Sequence, residues 1–157
     1  MITYSFINLK GGVGKTTIST NTAYILASAG AKVLFIDNDK QGNASYFFNA
    51  KDKEITLADV FLNPDLDIQK AIYPARKIQE GLIDILPSNM TLLPLNMKHT
   101  EIDAEDKTFI LKNALKSVED KYDFCIIDNA PDINFTVYNA LIATNQVIIV
   151  TNPDDYA

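Results

Sequence analysis

The sequence predicts an α/β fold in which helices on both faces cover a doubly wound, mainly parallel sheet of about five strands. Short runs rich in apolar, β-branched and aromatic residues alternate along the chain with segments whose apolar residues recur at helical spacing. Several runs are almost uninterrupted in hydrophobicity, as expected of parallel strands covered on both faces. Strands that alternate with helices build βαβ units, so we expect one domain over residues 1–157.

The predicted elements begin with a strand over residues 2–8, which ends at a glycine turn. A helix follows over residues 15–29, where Gly30 supplies a stop signal. The next strand, residues 32–37, is hydrophobic almost throughout. The remaining elements, assigned by the same criteria, are short helices over 56–62 and 67–72, a strand over 82–86, a helix over 104–119, a strand over 123–127, a helix over 133–143 and a strand over 146–151.

The composition narrows the classes of function. Twenty acidic residues against fourteen basic ones give a net charge of −6, and Arg76 is the only arginine, so we expect a poor nucleic-acid binder. The sequence shows neither the pattern of a signal peptide nor an apolar run of the roughly 18 residues that a membrane span requires. Cys125 is the only cysteine and fits a reducing compartment. These features predict a cytoplasmic protein without a membrane partner.

Polar or charged residues lie at the ends of three of the predicted strands. Asn8 ends the first strand before a glycine loop, Asp37 ends the second strand and Asp39 comes two residues later, and Asp128 follows the strand over 123–127. In a parallel sheet the ligand lies beyond the carboxyl ends of the strands, where these residues should meet. Carboxylates beside a glycine loop and a lysine predict a bound cation together with a bound polyphosphate.

The segment from residue 10 to residue 17 opens a helix directly after a strand, as a phosphate-binding loop does. Its backbone N–H groups can surround an anion at the positive end of the helix dipole. Lys15 can reach the β- and γ-phosphates, the Thr16 hydroxyl can ligate Mg²⁺, and Thr17 can donate to an inner phosphate. The alternative is a plain glycine turn, which the Gly-Lys-Thr-Thr run disfavours. The predicted nucleotide-binding residues are Lys10, Gly11, Gly12, Val13, Gly14, Lys15, Thr16 and Thr17.

The loop departs from the usual pattern G-x-x-x-x-G-K-[ST] at its start. Five positions before Gly14 stands Leu9 where the pattern has glycine, and Lys10 follows it. Lys10 is either a solvated surface charge or a second lysine that reaches a phosphate.

Residues 10–17 resemble the deviant Walker A loop of the ParA/MinD group of partitioning and positioning ATPases, whose signature lysine corresponds to Lys10. The segment Asp-Asn-Asp-Lys-Gln-Gly-Asn-Ala at 37–44 is similar to the ParA pattern D-x-D-P-Q-G-N-A, which favours ParA over MinD. The resemblance implies a P-loop NTPase fold, similar to the Rossmann fold. Further matching segments are residues 87–89, 122–128 and 139–141.

The resemblance also implies a dimer. In this group two subunits enclose two ATP molecules, and the signature lysine crosses to the nucleotide of the partner. Lys10 would therefore act on the partner's nucleotide, and Gly11, which lacks a Cβ, would permit the close approach. Lys15 would neutralise the charge that develops during phosphoryl transfer.

The three aspartates receive roles from the same resemblance. Asp128 corresponds to the Walker B carboxylate and would hold the water shell of Mg²⁺, which Thr16 also binds. Asp39 would position the attacking water, and Asp37 would support the metal side. Each aspartate could instead be a helix cap or a turn former, and for Asp37 the two readings stay open.

The implied function is that of a ParA-type ATPase that binds ATP, ADP and Mg²⁺, forms an ATP-dependent homodimer and hydrolyses ATP slowly under stimulation by a partner. A ParB-like centromere-binding protein would be that partner, in plasmid or chromosome partitioning. One alternative is a regulatory module that uses ATP as a dimer clamp without hydrolysis. A second is a MinD-like positioning ATPase, which needs a C-terminal amphipathic helix that the sequence does not show.

Several features differ from the family pattern. Lys40 replaces the proline of D-P-Q, and Asn129-Ala130-Pro131 stands where the family has C-P-P or T-P-P. Family members are also longer, so we expect this chain to be the N-terminal portion of the family fold, with the C-terminal part missing. Non-specific DNA binding and association with the nucleoid would then depend on that missing part.

Overall fold

The computed structural model describes residues 1–98 and 105–153, which contain six strands in one sheet. The order across the sheet is β3-β4-β2-β5-β1-β6. The strands are β1 (Ile2–Ile7), β2 (Lys32–Asn38), β3 (Tyr73–Ile78), β4 (Gly81–Leu86), β5 (Phe124–Asn129) and β6 (Gln146–Ile149).

Helices connect the parallel strands, as the alternating pattern predicts. They are α1 (Lys15–Ser28), α2 (Asn43–Phe47), α3 (Leu57–Leu62), α4 (Leu92–Lys98), α5 (Ile110–Lys116) and α6 (Phe135–Ala143), with 3₁₀ turns at Ile68–Ala71 and Glu105–Phe109. Among the described residues, none of these helices is long and apolar enough to cross a membrane.

The predicted fold class is confirmed, with six strands rather than about five. Every strand pair is parallel except β3 with β4, which is antiparallel. The sequence analysis misses β3 because Pro74, Arg76 and Lys77 interrupt its apolar pattern. An edge strand tolerates these residues, since one side of its backbone makes no ladder hydrogen bonds.

Two predicted helices differ in detail from the structure. The predicted helix over 67–72 is a 3₁₀ turn that leads into β3. The helix predicted over 104–119 is a 3₁₀ turn followed by α5, and its first residue, 104, lies outside the described residues. The short helix α4 was not predicted.

The core occupies both faces of the sheet, as the uninterrupted hydrophobicity of β2 predicts. Phe35 packs on one face with residues of α1 and α2, and Leu34 and Ile36 pack on the other with residues of α3, α5 and α6. All three side chains are fully buried. This double covering fixes the direction of β2 and therefore the position of the aspartates at its end.

Cys125 lies in β5 and belongs to the core on the α6 side of the sheet. Its thiol is fully buried, and burial raises its pKa far above the ordinary value. A thiol in this setting behaves as a small apolar side chain.

Candidate functional site

The carboxyl ends of β1, β2 and β5 meet at one edge of the sheet. Asp128 in β5 is paired in register with Asp37 in β2 on one side and with Phe6 in β1 on the other. The structure thus brings together the glycine loop after β1 and the aspartates at the ends of β2 and β5. Each of these groups was predicted at a separate strand end, and the parallel topology places them side by side.

The phosphate loop, residues 8–14, joins β1 to α1 through an open turn. Gly12 and Gly14 have φ values of 77° and 92°, a left-handed conformation that favours glycine. A Cβ added at Gly11, Gly12 or Gly14 would meet no atom within 4 Å. The loop therefore faces free space at the first turn of α1, a helix of fourteen residues whose N–H groups can bind an anion.

The two loop lysines take part in hydrogen bonds within the phosphate loop. The Lys15 side chain is only 7% exposed, and its Nζ donates a hydrogen bond to the Lys10 carbonyl oxygen at 3.4 Å. The Lys10 main-chain N–H donates to Asn8 Oδ1 at 2.8 Å. Lys15 also lowers the pKa of Asp128 through its charge. The Lys15 ammonium group is therefore bonded to the loop backbone, and its charge acts on Asp128.

Asp128 combines deep burial with an incomplete set of hydrogen bonds. It is 1% exposed, and burial raises its pKa to about 6. Hydrogen bonds from the Thr16 and Ser19 side chains oppose this rise, while the charge of Asp39 adds to it. Its Oδ1 atom is buried and accepts no hydrogen bond from the described residues. A buried carboxylate oxygen without a donor, next to the Thr16 hydroxyl, fits the water shell of a bound Mg²⁺.

Asp37 is equally buried but fully hydrogen-bonded. Its Oδ2 accepts from the Ser45 main-chain N–H and from Ser45 Oγ, both at 2.7 Å, and its Oδ1 accepts from the Asp39 N–H at 3.2 Å. Burial nevertheless raises the pKa of Asp37 to about 7. These bonds give Asp37 a structural role in the aspartate loop, residues 37–45. Its role on the metal side stays a prediction.

Asp39 lies half-buried within the aspartate loop. Its Oδ1 accepts a hydrogen bond from the Gln41 N–H at 2.9 Å, as in an Asx turn. Its charge acts on Asp128, so the two carboxylates share one site. Its proposed contact with an attacking water remains a prediction from the resemblance.

The segment after β4 supports the aspartate loop from outside. Ser88 Oγ donates to the Asp39 carbonyl oxygen, and the Ser88 N–H donates to Ser45 Oγ at 2.9 Å. Gly42 has a φ of 65°, and a Cβ there would lie 3.0 Å from the Ser88 carbonyl oxygen. The sequence analysis identified residues 87–89 through the resemblance, but it did not predict this supporting role.

Two buried asparagines beneath the site were not predicted as functional. Asn38 Nδ2 donates to Asn129 Oδ1 at 2.8 Å, and Asn129 Nδ2 donates to the Phe6 carbonyl oxygen at 3.0 Å. Together they join the ends of β2, β5 and β1. The available signal was an asparagine directly after an aspartate at the end of two buried strands, where an unpaired polar side chain would be costly.

No group of three or more histidine, cysteine, aspartate or glutamate side chains within residues 1–98 and 105–153 is arranged to hold a metal ion. A cation at this site would therefore depend on Thr16, Asp128, water and phosphate oxygens. This is how Mg²⁺ is usually bound at phosphate-transfer sites.

The site has a glycine loop between a buried strand and a helix, a lysine at the start of that helix, and an aspartate at the end of the neighbouring strand. This arrangement defines the class of P-loop NTPases. A family model described as an AAA domain matches residues 1–157. The chain belongs to this family and, within it, to the ParA-like proteins.

Curated relatives support this placement. The chain is 36% identical over 149 residues to the cell division protein PomZ of Myxococcus xanthus. The aligned region covers 92% of the chain and 44% of PomZ. It is 34% identical over 152 residues to the chromosome partitioning protein ParA of the same organism, covering 96% of the chain and 52% of ParA. The chain thus spans about half the length of these relatives.

Solved structures show the same fold. A plasmid partition protein from Borrelia burgdorferi superposes with a TM-score of 0.86 and 28% identity, over 99% of this chain and 68% of that one. Cobyrinic acid a,c-diamide synthase from Mycobacterium smegmatis, with a bound ATP analogue and magnesium, gives a TM-score of 0.83 and 28% identity, over 96% and 59% of the two chains.

Proposed function

We propose that this chain is the nucleotide-binding portion, over residues 1–157, of a ParA-type ATPase that acts in plasmid or chromosome partitioning. The observation that carries the proposal is the open phosphate loop beside Asp128, whose Oδ1 is buried without a donor. MgATP would suit both features, because its phosphate oxygens could accept from N–H groups of the loop and metal-bound water could donate to the carboxylate.

Lys15 and Thr16 would hold the phosphate end of the nucleotide. In the protein alone, Lys15 Nζ donates a 3.4 Å hydrogen bond to the Lys10 carbonyl oxygen. On nucleotide binding Lys15 would donate to a phosphate oxygen instead, which replaces a weak hydrogen bond with a charge-assisted one. The Thr16 hydroxyl and Asp128 would hold Mg²⁺ and its water. Bound Mg²⁺ neutralises negative charge on the phosphates.

The remaining roles concern the dimer and hydrolysis. We propose that Lys10 reaches the nucleotide of a second copy, so that ATP holds a homodimer together, and that Asp39 orients the attacking water. Positioning and electrostatics account for most catalysis of phosphoryl transfer, so few reactive groups are required. A slow rate, raised by a ParB-like partner, completes the proposal.

The two curated relatives support the biological setting, because one is a cell division protein and the other a chromosome partitioning protein. DNA binding would belong to a part of the family fold outside this chain, since the net charge of the chain is −6. A cytoplasmic, nucleoid-associated location follows from the same proposal.

Nucleotide binding tests the phosphate loop directly. Titration of the purified protein with a fluorescent ATP analogue and Mg²⁺ should show at least tenfold weaker binding for Lys15→Ala, because the variant loses its charge-assisted contact. Lys112→Ala, an exposed lysine on α5, is the matched control and should bind as wild type does. Unchanged affinity in Lys15→Ala would overturn the loop assignment.

Sedimentation with and without ATP tests the dimer. Wild-type protein should form a dimer with MgATP, and Lys10→Ala should remain monomeric while its affinity for MgATP stays within about threefold of wild type. A wild-type protein that binds MgATP but stays monomeric would contradict the proposed dimer.

A non-hydrolysing dimer clamp is the second candidate. The observation in its favour is that Asp39 Oδ1 is already engaged by the Gln41 N–H, while Lys40 places a cation next to it in the chain. Phosphate release from wild type and from Asp39→Ala separates the candidates. A clear loss of rate in the variant supports hydrolysis, and equal rates favour the clamp.

A further inference from the structure

We infer that Asn8 is a positioning residue, which fixes the main chain of Lys10 and ties it to the segment after β6. This inference rests on the proposed function, because its consequence is the ATP-dependent dimer. Asn8 lies directly after β1, at the first position of the phosphate loop. Its side chain is half-buried and uses both ends of its amide.

The two hydrogen bonds of Asn8 point in different directions. Its Oδ1 accepts from the Lys10 main-chain N–H at 2.8 Å, which fixes the first turn of the loop. Its Nδ2 donates to the Val150 carbonyl oxygen at 2.7 Å, across 142 positions of sequence. One side chain thus connects the loop, the end of β1 and the residues that follow β6.

The second bond is not needed to pair the two strands. The Val150 N–H already donates to the Ile7 carbonyl oxygen at 3.2 Å, so β1 and β6 remain joined at this end without Asn8. The amide of Asn8 therefore adds a connection to Lys10 that strand pairing alone does not require.

The Asn8 bond also differs from a second hydrogen bond of the Lys10 backbone. The Lys10 carbonyl accepts from Lys15 Nζ, which the proposed function assigns to the phosphates. The bond between Asn8 and the Lys10 N–H does not involve Lys15, so it stays available when nucleotide binds. Because this bond fixes the Lys10 backbone before dimerisation, Lys10 loses less conformational entropy when its side chain contacts a second copy.

The opposite end of the same strand pair offers a matched control. Asn145 Oδ1 accepts a hydrogen bond from the Thr3 N–H at 2.8 Å, at the edge of the sheet away from the loop. Asn145→Ala and Asn8→Ala therefore each remove a hydrogen bond between a side chain and the backbone that links β1 to the flank of β6, but Asn8→Ala also removes the bond to the Lys10 N–H. Only the Asn8 variant disturbs Lys10.

The first experiment is independent of nucleotide. Hydrogen exchange of the Lys10 amide, followed by NMR in the free protein, should be at least tenfold faster in Asn8→Ala than in wild type or Asn145→Ala. If Asn8→Ala does not fold, Asn8→Ser serves in its place. A serine can form the same local turn more weakly, so its effect should be smaller but in the same direction. Unchanged Lys10 protection would overturn the inference.

The second experiment measures function by sedimentation and MgATP titration. Asn8→Ala should weaken the ATP-dependent dimer at least tenfold, with MgATP affinity within about threefold of wild type, whereas Asn145→Ala should dimerise as wild type does. Equal weakening by both variants would assign the effect to strand pairing and overturn the positioning role. Failure of wild-type protein to bind MgATP would refute the proposed function, while the exchange experiment would still decide the role of Asn8.

Discussion

The phosphate loop and the aspartate loop lie side by side at one edge of the sheet, but they are built differently. Glycines of the phosphate loop face free space, and a Cβ at Gly11 would touch nothing. Gly42 of the aspartate loop packs against the Ser88 carbonyl, and Asp37 accepts three hydrogen bonds within the loop.

This difference indicates that the aspartate loop stabilises the fold, whereas the phosphate loop is available to bind a ligand. The polar groups of Asp37 are satisfied without any ligand, so they contribute to folding. The Oδ1 atom of Asp128 is buried without a donor, and the glycines of the phosphate loop leave space beside their backbone, so both features can accommodate a ligand. Substitutions in the aspartate loop should therefore cost stability, and those in the phosphate loop should cost binding.

The largest expected effect is that of Asp37→Ala on stability. The variant leaves the Ser45 N–H, the Ser45 hydroxyl and the Asp39 N–H without their acceptor in a buried site. We expect the free energy of unfolding to fall by about 3 kcal/mol, measured by urea denaturation without nucleotide. Asp37→Asn, which keeps one acceptor oxygen, should lose less. A loss below about 0.5 kcal/mol would remove the contrast between the loops.

The pH dependence of stability sharpens the contrast at Asp128. Burial raises its pKa from 3.8 to about 6, so between these values the folded protein binds more protons than the unfolded chain. In the absence of nucleotide and Mg²⁺, this group therefore destabilises the fold as the pH rises. Relative to wild type, Asp128→Asn should gain roughly 2 kcal/mol in unfolding free energy between about pH 4 and about pH 8. A difference independent of pH would contradict the assigned burial.

A smaller effect is expected at Gly42. Alanine there must adopt a φ of 65° and place its Cβ 3.0 Å from the Ser88 carbonyl oxygen. We expect Gly42→Ala to lower the unfolding free energy by about 1–2 kcal/mol. Chemical denaturation measures this loss, and an unchanged midpoint would show that Ser88 moves away without cost.

The smallest stability effect is expected for the matched change in the phosphate loop. Gly11→Ala adds a methyl group to free space, so the unfolding free energy should stay within about 0.5 kcal/mol of wild type. If a second copy approaches here, the same variant should still weaken the ATP-dependent dimer in sedimentation. A large loss of stability would mean that the phosphate loop is packed internally, like the aspartate loop.

Local patterns were sufficient to predict most of the fold. The parallel strands and α1 follow from apolar periodicity and glycine stop signals, which act over a few residues. The strand β3 was missed because Pro74 and two basic residues disrupt its pattern, and only its pairing with β4 stabilises it. The start of α2 depends on a hydrogen bond from the Ser45 N–H to Asp37 in β2, so the local sequence does not define the bounds of this helix.

For the site too, residues with local signals could be predicted and residues with long-range contacts could not. The loop residues and the three aspartates were identified because their spacing is local and matches a family. Asn8 was identified only as the end of a strand, because its bond to Val150 spans the whole domain. The hydrogen bond from Asn38 to Asn129 likewise depends on strand order, which a single sequence does not specify.

The single thiol of the chain provides a way to measure how often the central sheet opens. Cys125 lies fully buried in β5, the strand that also contains Asp128. A thiol reagent can modify it only when this central strand separates from its neighbours, so the labelling rate counts such events without an added probe. Nucleotide that bridges the ends of β1 and β5 should slow the labelling in proportion to the fraction of protein bound.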